Sequence, residues 1–219
     1  MPIETVIFDM DGVIVDSEVY WFKSRQEFAQ DLGLQWTDDD QRHAMGRNTI
    51  EWAEVMQHRL GLDWPLERIM ADMIRRVNAH YDEYLPLRPG AVEAVRLAGQ
   101  HFRLGLASGS PTSIIQHVMA LTGLDEVFEV LVFGDDIPNG KPAPDIYLEA
   151  LHQLAMPPST ALGIEDSSNG IRSLKAAGMW AIAAPSPGFP LAPEVLALAD
   201  AKIDSLEDFS LTLVQSLTD

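Results

Sequence analysis

The sequence predicts an α/β protein whose core is a doubly wound, Rossmann-like parallel sheet, with a four-helix unit inserted into it. Three observations predict this. After Pro89, short apolar runs alternate with amphipathic helical stretches. One further apolar run, VIF at 6–8, stands far upstream of them. Between the two, from about Ser17 to Leu85, no stretch reads as a strand. Strands that alternate with helices form a parallel sheet covered on both faces. The lone upstream run then belongs to the same sheet, and the helical stretch interrupts it. The expected boundaries are 1–16 and 87–219 for the sheet core and 17–86 for the insertion.

The first run, with Val13–Val15 just past an acidic turn, reads as a fully buried strand. In the insertion, VYWFKSRQEFAQDLG places Tyr20, Phe28 and Leu32 at helical spacing. TDDDQRHAM opens on Thr37 as an N-cap with acids in its first turn. NTIEWAEVMQHRLG has Asn48 as cap and Gly61 as terminator, and PLERIMADMIRRVNAHYDEYL opens on Pro65. LPLRPG reads as the hinge back to the core. Beyond it come helix AVEAVRLAGQH, strand 103–108, helix PTSIIQHVMALTG, strand 129–134, helix DIYLEALHQLA and strand 160–166. Helix SSNGIRSLKAAG, strand MWAIAAP and a weaker last strand and helix complete the chain.

Composition narrows the function. The 219 residues include no cysteine, which excludes disulfides, zinc-thiolate sites and a thiol nucleophile. The net charge is -18, from 33 acidic against 15 basic residues. That balance offers no basic footprint for nucleic acid. No window holds the roughly 20 apolar residues of a membrane span, and the first residues lack a basic, then apolar, leader pattern. The expectation is a cytoplasmic protein with neither nucleic-acid nor membrane partners. The six histidines are scattered on helices without metal-ligand spacing, and Trp52, Trp64, Met56, Met70 and Met73 read as packing residues.

In open parallel sheets, ligands bind beyond the carboxyl ends of the strands. At those ends stand Asp9 and Asp11, then Ser108, Gly109 and Ser110, then Lys141 in a proline-rich loop, then Glu165 and Asp166. Each piece alone reads blandly: Asp-x-Asp-Gly as a solvated turn, Ser-Gly-Ser-Pro as a helix cap, Gly-Lys-Pro as a loop. Together, at successive strand ends, they suit phosphate held by a hard cation. Mg²⁺ takes oxygen ligands from one or two carboxylates plus phosphate oxygens, and Asp9, Glu165 and Asp166 are candidates to hold it. Ser110-Pro111 reads as a cap followed by a first-turn proline, which points Ser108 and nearby amides at an anion. Lys141 balances phosphate as a point charge.

Four stretches in order, FDMDGVIVDSE, ASGSP, GKPAPDIY and GIEDSSNG, resemble the motifs of the haloacid dehalogenase-like hydrolase superfamily over nearly the whole chain. The helical insertion is similar to the small α-helical cap of the subgroup that contains beta-phosphoglucomutase and sugar-phosphate phosphatases. The resemblance implies that Asp9 attacks phosphorus to form a phosphoaspartate and that Asp11 is the general acid and base. It implies Mg²⁺ on Asp9, the backbone carbonyl of Asp11, Glu165 and Asp166, with Ser108, Gly109 and Lys141 on the phosphoryl oxygens. The physical chemistry agrees: an acyl phosphate splits one hard step into two, and paired carboxylates serve opposite roles where their environments differ.

Among the activities of such proteins, dehalogenation is disfavoured because that branch needs no second aspartate and no Mg²⁺. Phosphonate cleavage uses a cap lysine, and the lone cap lysine, Lys23, reads as solvated. Beta-phosphoglucomutase carries a histidine, an arginine and a lysine in its cap region, where this chain has Trp21, Met45 and Thr49. The expected activity is therefore hydrolysis of a small phosphorylated metabolite, a sugar phosphate first, with the mutase as the alternative. A non-turnover phospho-accepting signalling domain is a distant third, since it lacks a cap and carries its acidic pair early. Arg47, beside Gly46, and Trp21 are candidates for setting specificity; a salt bridge for the first and packing for the second are the competing readings.

Overall fold

The computed structural model describes residues 2–45, 47–186, 188 and 190–218. Six parallel strands form one sheet in the order β3-β2-β1-β4-β5-β6: β1 Thr5–Phe8, β2 Arg103–Ser108, β3 Val130–Phe133, β4 Ala161–Glu165, β5 Trp180–Ala183 and β6 Ala201–Lys202. The chain builds outward from β1 on one side, then crosses back to lay β4 on the other. The direction of winding therefore reverses between β1 and β4, where such sheets bind ligands. Phe8 is in register with Leu106 on one neighbour and Ile164 on the other. The residues just past these three ends share one rim.

The four-residue β1, TVIF, is wholly buried, and successive side chains alternate between faces. Val6 and Phe8 join a cluster with α5 (Ala91–Gly99) and α6 (Thr112–Thr122). Ile7 joins a second cluster with α7 (Asp145–Leu154), α8 (Ser168–Ala176) and α9 (Pro193–Leu196). Two apolar layers, one per face, explain why the strands read as continuous apolar runs. A short α10 (Leu211–Ser216) closes the chain.

Between β1 and the core helices lie α1 (Glu18–Asp31), α2 (Asp38–Ala44), α3 (Thr49–Arg59) and α4 (Leu66–Glu83). Thr37 and Asn48 each form reciprocal capping boxes, with Asp40 and Glu51. Each such cap is worth about 1 kcal/mol. The helices pack on Phe28, Trp52, Met56, Ile69, Met73 and Val77, all buried. Trp64 and Met70 lie at the edge of this cluster, partly buried. His80 is buried, stacks on Tyr20 and meets Glu27 at 3.0 Å, a packing role as the sequence suggests. Among the described residues, no helix is long and apolar enough to cross a membrane.

Four local expectations change. Val13–Val15 are buried but do not continue a strand: the chain turns at Gly12, and Ile14 and Val15 amides both return to the Met10 carbonyl. Pro111, not Ser110, caps α6, because Ser110 turns its hydroxyl towards Asp11 instead. Pro65 is likewise the cap of α4 rather than its first helical residue. Strands 129–134 and 160–166 are shorter, at 130–133 and 161–165: Gly134 and Asp166 turn into the rim loops, and Thr160 belongs to the turn that precedes its strand.

Candidate active site

The rim gathers side chains from four loops. Asp9 follows β1 directly, and its amide donates to the Ile164 carbonyl, so the sheet hydrogen bonding runs on into the site. The Asp9 carboxylate is buried, 5% exposed. Lys141, from the loop before α7, donates to Asp9 Oδ1 at 2.8 Å and to Glu165 Oε1 at 2.6 Å. It also reaches the Ala107 carbonyl at 3.3 Å. Asp9, Glu165 and Asp166 each place a carboxylate oxygen within 4.8 Å of the others.

Charge counting shows what this cluster lacks. Three carboxylates face one ammonium, leaving two negative charges uncompensated in a mostly buried space. Burial, then the neighbouring carboxylates against Lys141, pushes the Asp9 carboxyl up to about 8. Burial and the Glu165 and Asp9 charges push Asp166 well above the ordinary carboxylate range. Asp9 and Lys141 hold each other, and the anions around Lys141 outweigh its burial and raise it well above its ordinary value. A divalent cation among these oxygens would cancel the deficit and restore both aspartates to the ionised state. The donor set therefore fits Mg²⁺, for which Asp9, Asp166 and the Asp11 carbonyl are candidate ligands along with Glu165.

Two glycines make room for the carboxylates. Gly12 sits at φ +75°, and a Cβ built there would stand 1.8 Å from Asp166 Oδ2. A Cβ on Gly170 would stand 1.8 Å from Glu165 Oε1. Both glycines of DMDG and EDSSNG are thus needed for close approach, a physical reason for each to follow the acidic residues of its own motif. Ser167 caps α8, accepting from the Gly170 amide at 3.0 Å, while its own amide and hydroxyl donate to Glu165 Oε2.

Asp11 occupies a different environment. Its Oδ2 accepts from Ser108 Oγ at 3.0 Å and Ser110 Oγ at 2.8 Å. Its Oδ1 is buried without a partner among the described residues. An unpaired buried acceptor is costly, and here it lies beside the nucleophile candidate, where a proton or a substrate oxygen would satisfy it. Ser108 is fully buried and Gly109 is exposed at the rim.

The structure thus brings Asp9, Asp11, Ser108, Gly109, Lys141, Glu165 and Asp166 to one place. It does not bring Arg47 into that cluster: Arg47 is exposed and its Nε donates to the His43 carbonyl at 2.6 Å. Its neighbour Gly46 lies outside the described residues. Trp21 is buried and tilts against Trp52, ring centres 5.4 Å apart. Between them lies a residue that sequence reading passed over. The Arg25 guanidinium sits 5.3 Å from the Trp21 ring and 5.9 Å from the Trp52 ring. Its Nε and Nη1 have no hydrogen-bond partner among the described residues. Glu18 holds its electrostatic counterpart position and accepts a hydrogen bond from Gln41. Also missed were Tyr147 and Ser167, which hold Glu165, and Asp135. Asp135 accepts from Thr49 of α3 at 3.0 Å through one oxygen and from the Thr112 amide of α6 at 2.9 Å through the other. Only the acidic and proline-flanked motifs had a sequence signal; these supporting residues have none beyond proximity to them.

Comparison with known proteins shows the family and the fold. The family model described as haloacid dehalogenase-like hydrolase matches residues 6–184. A phosphorylated carbohydrates phosphatase from Thermotoga maritima is 33% identical over 177 residues, 80% of this chain and 82% of that protein. Hexitol phosphatase B of Escherichia coli is 32% identical over 210 residues, 93% of each. The crystal structure of CbbY from Rhodobacter sphaeroides in complex with phosphate superposes with a TM-score of 0.84. It is 26% identical and covers 98% of this chain and 99% of that one.

Proposed function

Because the chain belongs to the haloacid dehalogenase-like hydrolase family, we propose that it hydrolyses small phosphate monoesters, sugar or polyol phosphates first among them, through an aspartyl-phosphate on Asp9. The enzyme class is phosphoric monoester hydrolase, as its relatives' names have it. The observation that carries the reading is the convergence of Asp9, Asp11, Ser108, Lys141 and Asp166 from four separate loops on one rim.

In this reading an Asp9 oxygen forms a bond to phosphorus as the bond from phosphorus to the ester oxygen breaks, and the electron pair leaves with that oxygen. Asp11, whose Oδ1 is unpaired among the described residues, gives the leaving alcohol its proton. Water then attacks phosphorus, Asp11 takes a proton from it, and Asp9 is released with inorganic phosphate. Ser108, Gly109 and Lys141 bind the phosphoryl oxygens, where a fixed cation stabilises developing charge. Mg²⁺, when bound by the acidic cluster, supplies positive charge that neutralises phosphate and keeps the nucleophile ionised. Residues 17–86 act as a cap over a core of 1–16 and 87–219, excluding bulk water, with exposed Arg47 influencing which alcohol fits and Trp21 serving the packing of the cap.

Hydrolysis is favoured over phosphoryl return to a sugar by the cap residues. Trp21 is committed to Trp52 and Arg25, and the Thr49 hydroxyl to Asp135. Neither is free to hold a sugar phosphate while the phosphoenzyme waits. A screen of phosphorylated metabolites with Mg²⁺, read as released inorganic phosphate with Asp9→Asn as control, tests the proposal. Turnover that survives Asp9→Asn refutes it; isomerisation of a hexose phosphate without phosphate release supports the mutase.

A further inference from the structure

Glu165 is a carboxylate with no acceptor position left. Its Oε1 accepts from Lys141 Nζ at 2.6 Å and from the Tyr147 hydroxyl at 2.9 Å. Its Oε2 accepts from the Ser167 amide and the Ser167 hydroxyl, both at 3.0 Å. An ionised carboxylate offers about four lone-pair positions, and four donors fill them. The group is 1% exposed, and Gly170 closes against it so tightly that no side chain fits between. Asp166, the next residue, lies over Gly12 and has no such set of partners among the described residues.

Tyr147 is fully buried in the first turns of α7, the helix that follows the Lys141 loop. Its ring centre lies 4.9 Å from Lys141 Nζ, and its hydroxyl ends on Glu165. One side chain therefore touches both members of the ion pair that flanks the nucleophile. Phenylalanine would fill the same apolar space between α7 and the sheet, so packing alone does not account for the hydroxyl.

We propose that Tyr147 is a positioning residue of the phosphoryl-transfer site. With Ser167 it fixes Glu165 as an anion that aims the Lys141 ammonium at Asp9 and the phosphoryl oxygens. Glu165 then acts through Lys141 and is not a direct ligand of the divalent cation, which falls to Asp9, Asp166 and the Asp11 carbonyl. The inference rests on the phosphatase reading and narrows the ligand set that reading began with. Hydrogen-bond partners of this kind, one step removed from the chemistry, typically change affinity or activity by about 10- to 100-fold when lost.

The test compares Tyr147→Phe, Glu165→Gln and Asp166→Asn, each titrated calorimetrically with Mg²⁺ alone and then with inorganic phosphate at saturating Mg²⁺. Tyr147→Phe and Glu165→Gln should hold Mg²⁺ affinity within about 3-fold, weaken phosphate at least about 5-fold and lower kcat, whereas Asp166→Asn should weaken Mg²⁺ at least about 10-fold. Loss of Mg²⁺ by Glu165→Gln to the extent of Asp166→Asn overturns the proposal. So does a Tyr147→Phe protein with wild-type phosphate affinity and kcat, whatever its Tm. Should Tyr147→Phe fail to fold, Glu165→Gln decides alone through the same two titrations. Wild-type protein without turnover would refute the phosphatase reading separately, and the binding titrations need no turnover.

Discussion

Gly12 and Asp166 occupy nearly the same space: a Cβ on the glycine would stand 1.8 Å from the Asp166 Oδ2. The loop that follows the nucleophile candidate is thereby shaped around a carboxylate from the far side of the winding reversal. Gly12→Ala should displace Asp166 and weaken Mg²⁺ binding at least about 10-fold. The φ of +75° adds a backbone cost of about 1–3 kcal/mol. Calorimetry with Mg²⁺ and a thermal melt check the two effects separately; unchanged Mg²⁺ affinity would remove Asp166 from the cation site.

Asp135 joins α3 to α6 through its two oxygens. Thr49→Val deletes only the α3 side of the bridge. It should raise KM several-fold while costing stability about 1 kcal/mol, the usual worth of one hydrogen bond. Asp135→Ala should add the loss of the α6 N-terminal bond, about 1 kcal/mol more. Steady-state kinetics and melts on both variants give the split. Equal KM in Thr49→Val and wild type would mean the bridge has no part in holding substrate.

Burial raises Asp9 from 3.8 to about 8, and raises Asp166 and Glu18 in the same direction. Between roughly pH 4 and 8 the folded chain keeps protons on these carboxyls that the unfolded chain releases, so stability falls as pH rises through that window. The Lys141 shift lies above its ordinary value and acts only at higher pH. Metal-free protein should therefore have a lower Tm at pH 8 than at pH 5. Mg²⁺, which binds the ionised form, should flatten the slope and raise Tm more at pH 8 than at pH 5. A Tm that climbs from pH 5 to 8 without Mg²⁺ contradicts the buried-carboxyl account.

Arg25, only 3% exposed, and Glu18 influence each other electrostatically inside the helical unit, without a direct ion pair among the described residues. Removing one partner strands the other, so Arg25→Met alone should destabilise by about 3 kcal/mol. The double variant with Glu18→Gln should recover most of that, because a neutral replacement of both charges is often no worse than the pair. Denaturant melts of the two singles and the double form a cycle; additive losses would show that the two charges do not interact.

The sheet core and the acidic motifs were legible because each rests on a pattern local in sequence. Alternating apolar runs marked the strands; Asp9, Asp11, Glu165 and Asp166 followed the end of one, and Lys141 lay in a proline-rich loop. The turn at Met10–Val15 was not legible: buried valines look alike whether they extend a strand or fold back on a carbonyl. Ser110 reads as a helix cap by type and neighbour, yet an aspartate far off in sequence outcompetes the helix for its hydroxyl. Tyr147 and Arg25 look like ordinary helix-face residues, and only the packing of distant elements reveals what their polar ends meet.

β1 has no early partner. Thr5 pairs with Arg103 on one side and Ala161 on the other, so the central strand must await residues synthesised long after it. Helices α1–α4 touch mainly one another and can assemble meanwhile. Contacts this distant in sequence slow folding, and a nascent chain halted before β4 would hold an exposed apolar strand beside an incomplete acidic loop. Ribosome stalling in that interval, more than denaturation of the finished enzyme, is where this architecture is most exposed to aggregation.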